Sequence, residues 1–261
     1  MRSLSTAATG MLAQQLNVEV ISNNIANMNT TGYKRRRAEF SDLLYQSLRR
    51  VGSASSDAGT IVPAGVQIGV GVKPTAVYRI AEQGNVIITD NPLDLAIKGR
   101  GYFQVELPNG EIAYTRAGAL QRSEDGTIVT PDGYVVVPGI TIPEDATRVT
   151  INAAGEVFVE IAGNVDPQEI GQFELAAFAN EGGLDAIGDN LLLETAASGP
   201  PIVGTPGSAG FGTLEQGFLE TSNVNIVSEI TNLITAQRAY EMNSKVIQSS
   251  DEMLGSLTQI R

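Results

Sequence analysis

Apolar residues recur at heptad spacing at both ends of this chain and fall in short β-like runs between them. Near the N-terminus the series is Leu4, Ala7, Met11, Gln14, Val18, Ile21, Ile25 and Met28, with Gln14 as the polar break. That is the a/d pattern of a coiled-coil stripe and predicts a helix over residues 4–28. Ser3 or Ser5 is placed to cap its start, and Asn29, Thr30, Thr31 and Gly32 end it with turn chemistry. A looser repeat over residues 225–258 puts Ile226, Ile230, Leu233, Tyr240, Ile247 and Leu254 on one stripe, interrupted by Gln237, Ser244 and Asp251. Thr221, Ser222 and Asn223 supply cap candidates before it.

Between the ends the pattern changes. Residues 67–72, 75–81, 85–89, 102–106, 149–152 and 156–161 are β-rich, some with alternation. Asn109-Gly110, Asp125-Gly126 and Asp132-Gly133 are Asx-Gly pairs suited to hairpin turns, and residues 152–155 read as a fourth connection. Regular turns at this spacing predict an antiparallel sandwich or barrel-like body. Residues 51–65 and 196–213 look irregular, the second with five Gly and three Pro, and read as linkers.

The expected fold is therefore α+β: long N- and C-terminal helices paired as a coiled-coil domain around a central antiparallel all-β domain. The expected division is 1–30 plus 222–261 as a terminal helical assembly domain, 31–70 as an extended connecting segment, and 71–221 as the β domain. The seam residues are expected to be Leu4, Met11, Val18, Ile21, Ile25, Ile230, Leu233, Tyr240, Ile247 and Leu254. A lone two-helix hairpin is marginal, so the ends are expected to order largely on assembly. Strong exchange protection of residues 4–28 in a dilute monomer would contradict that.

Composition narrows the function. The 261 residues include no Cys and no His, which removes thiolate chemistry, the usual general base and the commonest metal ligand. The net charge of −12 is unevenly placed: residues 1–50 hold 7 basic and 3 acidic side chains, residues 51–220 hold 7 and 22, and residues 221–261 hold 3 and 4. An acidic body disfavours general nucleic-acid binding. Gln14, Gln15, Asn17 and Glu19 interrupt any apolar signal-peptide core, and no window is long and apolar enough to suggest membrane insertion.

The chemical motifs are weak. Gly69-Val70-Gly71 and Gly99-Arg100-Gly101 are fragments of a phosphate-loop pattern without its strand–helix setting. Asp185 and Asp189 flank a Gly-bearing turn at the wrong spacing for a calcium loop. Many carboxylate pairs exist, none in a pocket-forming context. The basic run at residues 34–37 reads better as a turn that meets acidic protein surfaces than as a nucleic-acid patch. An enzyme is thus disfavoured, with no catalytic, cofactor-binding or metal-binding residue to nominate. A carbohydrate-binding β module has no need of both terminal helices.

Three ordered motifs carry a resemblance. Ser22-Asn23-Asn24-Ile25-Ala26-Asn27 followed by Asn29-Thr30-Thr31-Gly32-Tyr33-Lys34 resembles the N-terminal signature of bacterial flagellar rod and hook proteins, with Asn27, Thr31, Gly32, Tyr33 and Lys34 as motif positions. Residues 216–225 and 237–245 resemble the matching C-terminal signature, and residues 91–97, 101–103 and 114–118 resemble the family's β domain. Residues 45–49 through 63–72 resemble a segment characteristic of subunits of the distal rod.

The resemblance implies a structural subunit that polymerises helically into a straight hollow shaft, transmits motor torque and carries exported subunits. Its implied partners are further copies of itself, proximal rod and hook subunits at the two ends, the surrounding ring proteins and the flagellar export apparatus. It implies a place in the basal body, crossing the periplasm, with export that leaves no cleaved signal peptide, and no nucleic acid or cofactor. A proximal rod or hook subunit is the nearest alternative. Leu48, Val51, Ile61 and Val62 are expected to pack between neighbours and stiffen the shaft.

Overall fold

The computed structural model describes residues 2–52, 64–162 and 166–259. Two long helices carry the ends: α1 spans Arg2–Ala26 and α2 spans Ile226–Gln259. Asn225 caps α2, its side-chain oxygen accepting the Ser228 N–H at 3.1 Å. The strands among the described residues lie between the helices, and every strand register given is antiparallel. The α+β architecture with terminal helices and a central antiparallel body is the one the sequence pattern implies.

The chain divides into two compact units and passes between them four times. One unit gathers Met1–Ile25, Arg36–Tyr78 and Asn225–Arg261; the other gathers Ala26–Arg35 and Arg79–Val224. The first holds α1, α2 and two short β ribbons. Arg36–Asp42 pairs with Val72–Arg79, and Tyr45–Arg49 pairs with Val66–Gly69 through a register that sets Tyr45 opposite Gly69 and Gln46 opposite Ile68. No residue of Tyr45–Arg49 is buried.

The second unit is built on a nine-stranded sheet. Its centre is Tyr102–Glu106, which pairs with Ile112–Thr115 along one edge. Its other edge is shared by Val135–Val136 at one end and Leu175–Ala177 at the other. A three-stranded sheet of Ala146–Ile151, Glu156–Ile161 and Gln168–Gln172 lies in the same unit. Both sheets bury apolar side chains in one core: Phe103, Ile128 and Val136 from the large sheet, Ile151, Val157 and Val159 from the small one. Phe103 and Phe173 meet edge to face at 6.3 Å between ring centres.

The turn chemistry explains the hairpins. Gly110, Gly126, Gly133 and Gly155 all have φ between 81° and 86°, in the left-handed region that only glycine enters freely. Each sits in one of the four connections the sequence marks. The stretch 196–213 differs from the linker reading. Ile202–Gly204 is a strand paired with Leu175–Ala177, and Gly207 and Gly212 are held by backbone bonds to Gly212 and Arg100. Three residues between prolines and glycines show no alternation, so the edge pairing left no pattern to read. Of residues 51–65, positions 53–63 lie outside the described residues.

Candidate assembly surfaces and a buried charge cluster

The helix unit presents an inverted pair. Across its inner seam Ser3 faces Ser250 at 3.4 Å, a Cβ added at Gly10 would stand 2.9 Å from the Asn243 side chain, and Asn24 donates to Glu229 at 3.2 Å. These contacts are small and polar. Val20 and Ile21 of α1 are buried, but many apolar side chains of the pair are not. Leu12 on α1 and Val227, Ile230, Ile234, Met242, Val246 and Met253 on α2 are all exposed, Val227 by 75%. Val227, Ile230 and Ile234 are three and four residues apart and share one face of α2. A contiguous apolar face on a protein surface marks an interaction site.

The residues nominated from the heptads are distributed unevenly. Ile21 is buried. Leu4, Met11, Val18, Ile25, Leu233, Ile247 and Leu254 are half-buried, while Ile230 and Tyr240 are exposed. Val18 and Tyr240 line an open apolar groove of about 330 Å³ with Gln15, Gln237 and Glu241. On the exposed ribbon, Tyr45 and Leu48 are each 58% exposed, and Val51 just beyond it is exposed too. Ile61 and Val62 lie outside the described residues.

The family-motif residues gather in the second unit, around an ion cluster that the sequence reading did not single out. Glu220 accepts Lys34 Nζ at 2.6 Å and the Gly84 N–H at 2.8 Å on one oxygen, and Arg116 Nε at 2.6 Å on the other. The remaining Arg116 nitrogens donate to the carbonyls of Ile97, Gly99 and Gly101. All three side chains are nearly excluded from water. Burial alone pushes the Glu220 carboxyl up, but Arg116 and Lys34 outweigh it and hold it below the usual range. Burial also pulls Lys34 down, only partly opposed by Glu220.

The surrounding backbone is tied in. Gly32, at φ 69°, donates to the Glu220 carbonyl, and a Cβ there would stand 2.8 Å from the Arg116–Ala117 backbone. Asn223 accepts the Arg35 N–H at 2.7 Å and donates to the carbonyls of Ile80 and Glu82. It also takes the Tyr33 carbonyl as a backbone partner. Asn27 receives Thr30 through both backbone and side chain, and Thr31 lines a small cavity beside Thr115 and Thr130. The segment leaving α1 is thus fastened through Gly32 and Lys34 to Glu220, on the segment leading to α2, and Glu220 is fastened to Arg116.

A cavity of about 480 Å³ is lined by Lys34, Arg100, Tyr102, Arg116 and Glu181. Its polar groups satisfy one another: Tyr102 donates to Glu181 at 3.2 Å, and Arg100 pairs with Glu181 and the Phe178 carbonyl. Burial, reinforced by Glu181, raises the Tyr102 hydroxyl well above its ordinary value, so it stays protonated. Among the described residues no group of three acidic side chains is placed to hold a metal ion, and no helix is long and apolar enough to cross a membrane.

Three family models match the chain in order. The flagella basal body rod protein model covers residues 4–34, the flagellar hook protein FlgE/F/G D1 domain covers 96–159, and the flagellar basal body rod FlgEFG protein C-terminal model covers 215–260. A flagellar basal-body rod protein FlgG from Caulobacter vibrioides is 63% identical over 261 residues, the whole of both chains. The chain belongs to the flagellar basal-body rod family. A relative of the same name from Agrobacterium fabrum is 55% identical over 97% of each chain, and one from Bacillus subtilis is 40% identical over 100% of this chain and 99% of its own. Family membership makes this a structural protein of the flagellum, not an enzyme.

The seam polar residues and the ion cluster are what sequence reasoning missed. A signal existed. Ser3, Gly10, Asn17 and Asn24 repeat every seven residues, one place along from the apolar heptads. Counting apolar positions alone passes over such a row.

Proposed function

We propose that this chain is the subunit of the distal rod, and that it polymerises helically into a straight hollow shaft that carries torque outward and exported subunits through its bore. One observation carries this reading: the helices meet through a row of small and polar side chains, and Val227, Ile230 and Ile234 are left uncovered. A pair that buried its apolar stripes internally would have little to offer a neighbour. Copies of the same chain cover these faces in the shaft. Residues 1–30 with 222–261 act as the assembly domain, 31–70 as a connecting segment with the rod-type insertion, and 71–221 as the outward β domain.

The shaft stands in the basal body and crosses the periplasm. It joins proximal rod and hook subunits at its two ends, turns within ring proteins, and is delivered by the export apparatus without signal cleavage. Its largely acidic outer body limits sticking to the rings. The seam residues from Leu4 to Leu254 act in packing against neighbours as well as within the pair.

The ribbon of Tyr45–Arg49 and Val66–Gly69 gives the shaft its stiffness, with Leu48 and Val51 as apolar contacts to the next subunit. Ile61 and Val62 belong to the same segment. This distinguishes a distal rod from the alternative of a proximal rod or hook subunit. Electron microscopy of concentrated full-length chain tests both points. Straight hollow filaments are expected, lost on removing residues 1–30 and 225–261, and curved or flexible on removing residues 46–65. Straight filaments after the 46–65 deletion would reject the stiffening role.

A further inference from the structure

The inner seam holds one register along its length. From Ser3 to Gly10 the contact moves seven residues forward on α1 and from Ser250 to Asn243 seven back on α2; from Gly10 to Asn24 it moves fourteen forward and to Glu229 fourteen back. The same step sets Asn17 opposite Ala236, which is 2% exposed. Shape alone specifies this register weakly. Sliding the helices by one heptad sets small or polar residues against other small or polar residues, at little cost in packing.

Hydrogen bonding at one end does distinguish the registers. Asn24 is 1% exposed and Glu229 is 6% exposed. Asn24 Oδ1 accepts the Arg36 N–H at 2.8 Å, and its Nδ2 donates to the Arg36 carbonyl at 2.8 Å and to Glu229 at 3.2 Å. The strand beginning at Arg36 therefore fixes Asn24, and the Asn225-capped first turn of α2 fixes Glu229. A slide of one heptad in one direction brings Ala236 to Asn24 and takes from a buried carboxylate the donor it has here. A buried polar pair is a recognised way to set helix register.

We propose that Asn24 and Glu229 are positioning residues that set the register of the helix pair, and so decide how the outer apolar side chains of one helix line up along the pair with those of the other. The chain has no cysteine, so paired cysteines read the register directly. The test is disulfide formation in full-length chain, followed both dilute and at concentrations where the ends are expected to order. Ser3→Cys with Ser250→Cys reports the native register, and Asn17→Cys with Asn243→Cys reports the one-heptad slip that brings Ala236 to Asn24.

The native pair is expected to form more than about tenfold faster than the slipped one, the ratio for a slip costing about 1.4 kcal/mol. Adding Asn24→Leu and Glu229→Leu should bring the two rates together. Glu229→Gln keeps an acceptor for Asn24 and should preserve the preference. Should the double leucine variant lose its helices by circular dichroism, Asn24→Ala alone should abolish the preference. A preference undiminished in the leucine variant (or in Asn24→Ala, if that variant is used) would overturn the proposal. So would a Glu229→Gln variant that slips freely.

Discussion

The two units of this chain treat their apolar side chains in opposite ways. The β unit buries its largest ones: Phe103, Phe173, Leu175 and Val157 are fully covered, and even its charges, Lys34, Arg116 and Glu220, are taken inside and matched. The helix unit closes on Ser3, Gly10, Asn24 and their partners and leaves much of its Ile, Val and Met in water. The first closes a large apolar core within a single chain, although Ile88 and Ile202 remain in water. The second has no such core among its described helical residues. In the proposed shaft, that division separates what holds the subunit's shape from what joins subunits.

The sharpest way to break the β unit is through Glu220. Replacing Glu220 with Ala leaves Lys34 and Arg116 buried without their carboxylate, and removing one partner of such a pair costs about 3–5 kcal/mol. Denaturant unfolding followed by tyrosine fluorescence should show the loss, with Glu229→Ala as a comparison within the helix unit. Gly32→Ala comes next, because it combines a left-handed φ with a Cβ placed against the Arg116–Ala117 backbone. A loss of about 1–3 kcal/mol is expected in the same assay.

Acid should act on the same cluster. The Glu220 carboxyl is held below its ordinary value of 4.5 in the folded chain, so its contribution is fully present above that pH. It is lost as pH falls from there through the folded value. Thermal unfolding of the wild-type chain should lose stability more steeply below pH 4.5 than that of Glu220→Gln, which has no such proton to take up. Equal slopes would remove Glu220 from the account. The smallest effect on the isolated chain is expected from Val227→Ser, Ile230→Ser and Ile234→Ser together. Surface changes of this kind usually alter folding by within about 0.5 kcal/mol each.

The same contrast governs what the sequence made legible. Asn109-Gly110, Asp125-Gly126 and Asp132-Gly133 announce their hairpins because only a few residues accept the turn geometry. The long helices announce themselves by repetition. Which face of α2 looks inward was not legible from hydrophobicity, since Ile230 and Tyr240 are exposed while Ala236 and Glu229 are buried. The heptad rule assumes that the apolar stripe is the inner one. A subunit whose apolar stripe serves other molecules violates that assumption. The Lys34–Glu220–Arg116 cluster was hidden for another reason: its members lie far apart in sequence, and only the antiparallel pairing of Phe218–Glu220 with Val86–Ile88 gives the carboxylate its backbone position.

The most direct measurement images wild-type chain and the Val227→Ser, Ile230→Ser, Ile234→Ser variant side by side by electron microscopy, at concentrations where the wild type assembles. The expected result is straight hollow filaments from the wild type and none from the variant, with the melting temperature of the two monomers alike. Filaments of the same form from the variant would contradict the claim that these uncovered faces join the subunits.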